Sequence, residues 1–342
     1  MEIVNNKCVN CGGELSYDPD SQELKCNQCD SITNIPEQES VLAKKQYHKD
    51  SSIQLSETEY TQYSCGTCGR RHIAPKNQDV IYCPSCGDSN LEKNITVEYL
   101  PDGIIPFKLN QEKAMLCFKD WLKKRKFAPN NLKKLAKTQS LKGIYLPIYD
   151  YDFDTATSYS GVGIKEHRDS EGKTRITRHP FRNTRTDFLQ DYVESANSEI
   201  SSPDLRDMAN YNYRNIYVYR PEFLYGWVGT NINVSLHDSC VRARNSVANQ
   251  IATDVRNSLH YDRIENFVCN TTFNSIRYSY LYVPVWFNQY KYKDKTYNCY
   301  INGLTGKVSG KAPNSFWKIF FTTIFAIAVI GAVVFLAYKY SA

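Results

Sequence analysis

Apolar positions along this chain fall into two helical stretches, two alternating stretches and one unbroken block. The segment Ile104, Ile105, Pro106, Phe107 opens the first helical stretch, with Asn110 as its expected N-cap. On a helical wheel Ala114, Met115, Phe118, Trp121 and Leu122 share one arc, and Lys119, Lys123 and Lys126 lie on another, which predicts an amphipathic helix with a basic outer face. The second helical stretch covers residues 237 to 259, where Val247, Ile251, Val255 and Leu259 keep a fourfold spacing. Residues 144 to 188 read as paired strands, with a break at Gly161-Val162-Gly163 and a turn at Asp169-Ser170-Glu171-Gly172. Residues 276 to 301 alternate and are rich in Tyr, a hairpin with Lys293-Asp294-Lys295 at its turn. Leu146-Pro147-Ile148-Tyr149 echoes Val283-Pro284-Val285-Trp286, so residues 102 to 310 are either a duplicated α+β unit or one large domain. Most of the 26 Tyr sit in these strands, which suits a half-buried sheet surface; a stacking platform for bases is the sharper alternative.

The unbroken block is residues 319 to 338, twenty residues without a charge between Lys318 and Lys339. At 1.5 Å per residue a helix of that length reaches about 30 Å, the thickness of a bilayer's hydrocarbon core. Phe316 and Trp317 precede it and Tyr338 and Tyr340 close it, in the manner of interfacial anchors. Four residues follow Tyr338, which makes the span a C-terminal tail anchor. Lys307, Lys311 and Lys318 outnumber Lys339, placing the N-terminal body in the cytoplasm of a single-pass cell-membrane protein.

Cysteine spacing changes the picture at the other end. Cys8, Cys11, Cys26 and Cys29 recur as Cys65, Cys68, Cys83 and Cys86, each shifted by 57 residues. Two thiolates three positions apart on a tight turn bind one metal ion together, and two such turns complete a tetrahedral shell. Gly12, Gly69 and Gly87 supply the positive φ that aims backbone N–H groups at sulfur, and Asp30 takes that place in the fourth knuckle. The expectation is two structural Zn2+ ions in closed sites, each stabilising a small ribbon that is its own fold. Redox dithiols lack a thioredoxin-like context here, and no apolar segment near Met1 would carry a disulfide framework to an oxidising compartment. His72 lies near the second shell but finds it already filled, and reads as a surface residue. Cys117, Cys240, Cys269 and Cys299 have no partner spacing and read as buried thiols.

Charge divides the chain in the same way. Residues 1 to 100 carry 9 basic and 15 acidic residues, and the remainder carries 33 basic and 21 acidic. Phosphate binding needs the opposite sign at the ribbons. The basic segment 108 to 137 holds ten Lys or Arg against Glu112 and Asp120, a surface for solvent, for an anionic membrane or for a nucleic-acid backbone. No H-E-x-x-H, G-x-S-x-G or dinucleotide-binding glycine motif is present, so no catalytic residue is assigned and the protein is expected not to be an enzyme. Asp150, Asp152 and Asp154 alternate along a strand and share a face, which reads as solvated.

The two ribbons, D-G-I-I-P-F-K from Asp102, W-L-K-K-R-K-F-A-P-N from Trp121, K-G-I-Y-L-P from Lys142 and the late Y-K-Y-K-D-K-T-Y and N-G-L-T-G-K-V-S-G runs together resemble the YdjG-like family of bacterial TFIIB-type zinc-ribbon membrane proteins. Residues 165 to 235 resemble it least. The resemblance implies a membrane-bound partner of an SPFH-like (flotillin-type) protein and of a PspA-like phage-shock protein, acting in envelope stress. Members are also labelled as resembling the replication-restart helicase, which needs a phosphate-cradling G-x4-G-K-[ST] loop. The one G-K-T here is Gly172-Lys173-Thr174, with His167 where the first glycine belongs, so only the metal-binding knuckles carry that likeness.

The sequence therefore predicts an α+β protein: zinc ribbon 1 over 1–35, a linker over 36–60, zinc ribbon 2 over 61–100, a mixed α+β body with antiparallel sheet over 101–312, and a transmembrane helix over 316–340. The expected function is a membrane-anchored cytoplasmic adaptor for protein partners, in contact with the lipid bilayer. The alternative is a membrane-tethered nucleic-acid-binding regulator that uses the ribbons.

Overall fold

The computed structural model describes residues 6–35, 43–48, 60–75, 78–94, 101–129, 132, 141–168, 174–198, 200–209, 211, 216–292 and 295–341. Two long antiparallel strands form its axis: β9 (Lys142–Arg168) and β13 (Arg263–Tyr292), paired from Lys142↔Phe287 to Ile164↔Arg263. Each carries a hairpin partner on its outer edge. β10 (Thr174–Ser195) runs back along β9, and β14 (Lys295–Asn302) runs back along β13 and pairs in turn with β15 (Val308–Gly310). The turns expected at Asp169-Ser170-Glu171-Gly172 and at Lys293-Asp294 lie outside the described residues, and Lys295, expected in the second turn, opens β14.

The two echoing sequences meet in this pairing. Leu146 sits opposite Val283, Tyr145 opposite Pro284 and Pro147 opposite Tyr282. A local two-fold through the Leu146–Val283 pair relates their surroundings. β8 (Gly103–Ile104), paired antiparallel with β11 (Tyr217–Val218), joins β13 in parallel at Leu281 and Tyr282, and β12 (Gly229–Thr230) joins β9 in parallel at Tyr145. β10 ends its pairing at Ile148, and β14 ends at Val285, the matching position. The order strand, helix, long strand, hairpin partner thus occurs twice, each short strand lying against the other unit's long one. Both units share a single mixed sheet.

Four α-helices are present among the described residues. α1 (Gln111–Lys124) is capped by Asn110, whose side chain accepts from the Lys113 backbone N–H; Ala114, Phe118 and Leu122 turn inward onto Tyr290, Cys299 and Ile301. α2 (Ser202–Met208) covers Leu146, Ile148, Leu281 and Val283 on the opposite face of the sheet. α3 (Leu236–Ser258) lays Cys240, Ala243, Val247, Ile251 and Val255 over Tyr149, Tyr151 and Phe153. α4 (Phe316–Ser341) is apolar and has a membrane-length stretch from Phe316 to Val334, none of it buried against the rest of the protein.

Two readings of the strands change. Gly161-Val162-Gly163 is not a break: β9 runs through it, paired with β10 and β13, and the two glycines make room for the rings of Phe181 and Tyr261, which occupy the space that a Cβ would need. The tyrosines at the axis are fully buried, not half-buried. Tyr149, Tyr151 and Tyr282 each bury the ring and donate the hydroxyl to a backbone carbonyl in the segment entering α3, at Val234, Leu236 and Thr230. That burial excludes them as a platform for bases.

Candidate metal centres

Each ribbon brings its four cysteines together on two tight knuckles. In ribbon 1, built on β1 (Leu15–Asp18), β2 (Glu23–Cys26) and β3 (Ile32–Thr33), the Sγ atoms of Cys8, Cys11, Cys26 and Cys29 lie within 4.8 Å of one another. In ribbon 2, built on β5 (Tyr60–Cys65), β6 (Arg71–Pro75) and β7 (Leu91–Asn94), the same holds for Cys65, Cys68, Cys83 and Cys86. Sulfur separations of 3.7 and 3.5 Å in the first shell and 3.7 and 3.6 Å in the second match the edge of a tetrahedron with zinc–sulfur bonds of about 2.3 Å. The knuckle backbone is the expected one: φ is +72° at Gly12, +71° at Gly69, +83° at Gly87 and +56° at Asp30. In each knuckle the residue at this position donates its N–H to the carbonyl of the first cysteine, closing the turn.

The surroundings favour a thiolate at Cys8, Cys29 and Cys65. Asn10 N–H points at Cys8 Sγ and Gln28 N–H at Cys26 Sγ, both at 3.4 Å. The Ser31 hydroxyl, 3.1 Å from Cys8 Sγ, and backbone N–H groups hold the Cys8 thiol down at about 6. Backbone N–H groups, Cys68 foremost, hold Cys65 at about 7. Burial and then the neighbouring thiols push Cys68 up to about 12, because four thiolates cannot share so small a volume without a cation among them. The donor set fits zinc in both shells.

His72 departs from the surface position expected of it. It is fully buried on β6 opposite Thr230 of β12, and its Nε2 lies 3.4 Å from Cys83 Sγ. Burial, then the Arg70 charge, holds the imidazole at about 4, so it is neutral and able to direct one N–H at the sulfur. The spacing His72 to Cys83 gave no signal, because the two meet through strand pairing. Among the remaining cysteines, Cys240 and Cys299 are buried as expected, whereas Cys117 and Cys269 are half-buried.

The ribbons share the core of the body. Leu15, Tyr17, Leu24 and two of the shell cysteines, Cys8 and Cys26, belong to the same buried cluster as Phe107, Tyr145, Phe223 and Trp286. Ribbons of this size have too little apolar surface to close a core unaided, and the aromatic body supplies it. One turn of the body holds both. Tyr17 N–H donates to Tyr225 O at 2.8 Å, the Trp227 indole donates to Tyr17 O at 2.9 Å, and the Gln78 carboxamide of ribbon 2 bonds both Gly226 N–H and Trp227 O. Gly226 has φ +78°, and a Cβ there would meet Ser16 of ribbon 1 at 2.7 Å.

The residues between the ribbons also join the body. β4 (Lys45–Gln46) pairs with β13 at Arg277 and Tyr278, and Lys44 enters a buried carboxylate cluster. Its Nζ lies 2.8 Å from Asp150, 2.6 Å from Asp152 and 2.9 Å from Asp191, with Arg277 3.4 Å from Asp152. The solvated-face reading therefore fails for Asp150 and Asp152 and holds only for Asp154, which is exposed. Burial pushes the Asp150 carboxyl up to about 7, against the pull of Lys44.

No protein-family model matches the chain, and no solved structure matches it. The chain is similar to the uncharacterized protein YdjG of Bacillus subtilis (strain 168), 24% identical over 326 residues that cover 93% of this chain and 92% of that one. The likeness spans ribbons and body together.

Proposed function

We propose that this protein is a membrane-anchored adaptor whose zinc-loaded ribbons hold protein partners at the cytoplasmic face of the cell membrane. The observation that carries the reading is where exposed apolar side chains remain. Outside α4, the three most exposed large apolar residues among the described residues are Val9 at 79%, Ile81 at 67% and Tyr82 at 63%, all on or beside the cysteine knuckles. Solvated apolar side chains on a metal-stiffened loop are what a protein partner buries. The metal keeps these loops in shape and performs no chemistry, since four cysteines leave no open position. Ribbon 1, with two basic residues against six acidic, opposes a nucleic-acid backbone and suits a polar, partly basic protein surface around an apolar centre, while ribbon 2 is balanced at four of each.

The anchoring half of the proposal rests on α4, an apolar helix of sufficient length, flanked on its N-terminal side by Lys307, Lys311 and Lys318. The family resemblance suggests an SPFH-like or PspA-like partner. The test is quantitative co-purification from membranes of the full chain against its Val9→Ser, Ile81→Ser, Tyr82→Ser variant. Stoichiometric partners should be lost from the variant at unchanged zinc content. Equal recovery of the same proteins, or salt-sensitive nucleic acid in their place, would refute the adaptor reading.

A further inference from the structure

The loop that follows α1 is fastened to the first turn of α4. Ser315 N–H donates to Phe127 O at 2.8 Å, and Lys318 Nζ donates to Ala128 O at 2.7 Å. Ser315 precedes Ile319, the first residue of the uncharged block, by four positions, which is about 6 Å along a helix. One headgroup layer of a bilayer is about 5 to 7 Å deep. With α4 in a membrane, Phe127 and Ala128 are therefore held at headgroup depth by hydrogen bonds to the span itself.

What stands next to them is basic. Lys123, Lys124, Arg125 and Lys126 immediately precede Phe127, all exposed, and Phe127 is itself exposed. Lys307, Lys311 and Lys318 lie on the other side of this junction, where Val308 and Ala312 pack against the same core cluster as Trp121 and the Tyr290 hydroxyl donates to Lys311 O. Across residues 121–128 and 303–318 there are seven Lys or Arg and no Asp or Glu. The nearest acid along the chain to this turn, Asp120, is bonded to Lys123 at 2.8 Å. Lys124, Arg125 and Lys126 are at most about 11 Å of chain from Phe127 and Lys123 at most about 14 Å, one to two Debye lengths in physiological salt.

We infer that the C-terminal turn of α1 and the 303–318 segment form a basic collar that binds anionic phospholipid headgroups around α4 and so fixes the body's orientation on the membrane. This rests on the membrane reading of α4. Each basic side chain at such a surface adds to the attraction and is weakened by salt, and the exposed Phe127, Phe316 and Trp317 suit the interface between headgroups and acyl chains. Nucleic acid would be excluded by the same proximity, since a bilayer leaves no room for a duplex against this turn.

The experiment uses the full chain in nanodiscs of phosphatidylcholine, with or without phosphatidylglycerol, and reads backbone hydrogen exchange over residues 123–128. The inference predicts several-fold slower exchange in the anionic discs, reversed by high salt and absent in a Lys123→Gln, Lys124→Gln, Lys126→Gln variant whose substitutions are all at exposed positions. Equal exchange in both lipids by a chain that resists carbonate extraction would overturn the collar and leave the anchor standing. A chain that carbonate extracts would overturn the anchor and the collar with it.

Discussion

The Trp227 indole N–H donates to the carbonyl oxygen of Tyr17 across 2.9 Å, joining residues 210 positions apart in the chain. The Trp227 ring also stacks on Phe107 at 4.2 Å and occupies the space left by Gly143, where a Cβ would meet it at 2.2 Å. A single side chain therefore connects ribbon 1 to the core of the body, and its neighbour Gly226 touches both ribbons. Trp227→Phe keeps the stacking and loses the donor, with an expected cost of about 1 kcal/mol. Trp227→Ala removes the packing as well and should cost about 3 kcal/mol. Denaturant unfolding followed by tyrosine fluorescence and by zinc release should show the same order for both signals, because ribbon and body share the core.

Metal content gives the next prediction. Purified protein should hold two zinc ions per chain, and Cys26→Ser with Cys29→Ser should reduce that to one. Cys26 lies in the shared core, so the damage should spread: the body's unfolding midpoint should fall along with the ribbon. His72→Ala should leave two zinc ions but weaken the second about tenfold, since the imidazole Nε2 that lies 3.4 Å from Cys83 Sγ is lost. Competition with a chelator reads both effects, and an unchanged second site would remove His72 from the metal's surroundings.

The carboxylate cluster predicts a pH dependence. The Asp150 carboxyl titrates near 7 in the folded protein and near 3.8 in the unfolded chain, so between these values the folded form holds the extra proton. Stability therefore falls as pH rises from about 4 to 7 and levels off above. Asp150→Asn should flatten that slope. Lys44→Met leaves the buried carboxylates without their shared cation and should cost about 3 kcal/mol at pH 8, less at pH 5 where Asp150 is protonated. Thermal midpoints across this range measure it, and a slope unchanged by Asp150→Asn would remove Asp150 as the titrating group.

How far the sequence reaches follows from where its signals are local. The eight cysteines, the Asn110 cap, the inward stripe of α3 from Val247 to Val255 and the apolar α4 are written in spacings of a few residues, and the structure places each as expected, with Leu259 falling at the C-cap of α3. Long-range pairing was not legible. Nothing local in Lys44 shows that it reaches Asp150, 106 positions on, or that His72 meets Cys83 when β6 joins the sheet beside β12. Burial of the tyrosines was missed for a related reason: their hydroxyls are satisfied by carbonyls some 50 to 85 residues away, which no pattern along the strand records.

Attachment through α4 can be tested by truncation. A chain ending at Lys318 should leave the membrane fraction in high salt, because a span of this apolarity is effectively irreversible in lipid while the basic collar contributes only about 1 kcal/mol per Lys or Arg. At low salt and with anionic lipid a weak residual association should persist. Sedimentation with membranes in high salt would place a second anchor in the body.

Recruitment is the central claim, and relocation of a partner measures it most directly. A soluble protein that co-purifies with the full chain, fused to a fluorescent protein, should move from cytoplasm to membrane when the chain is expressed. It should stay cytoplasmic when Val9, Ile81 and Tyr82 are replaced by Ser in a chain that retains its zinc and its membrane localisation. Relocation unaffected by those three substitutions would contradict the account.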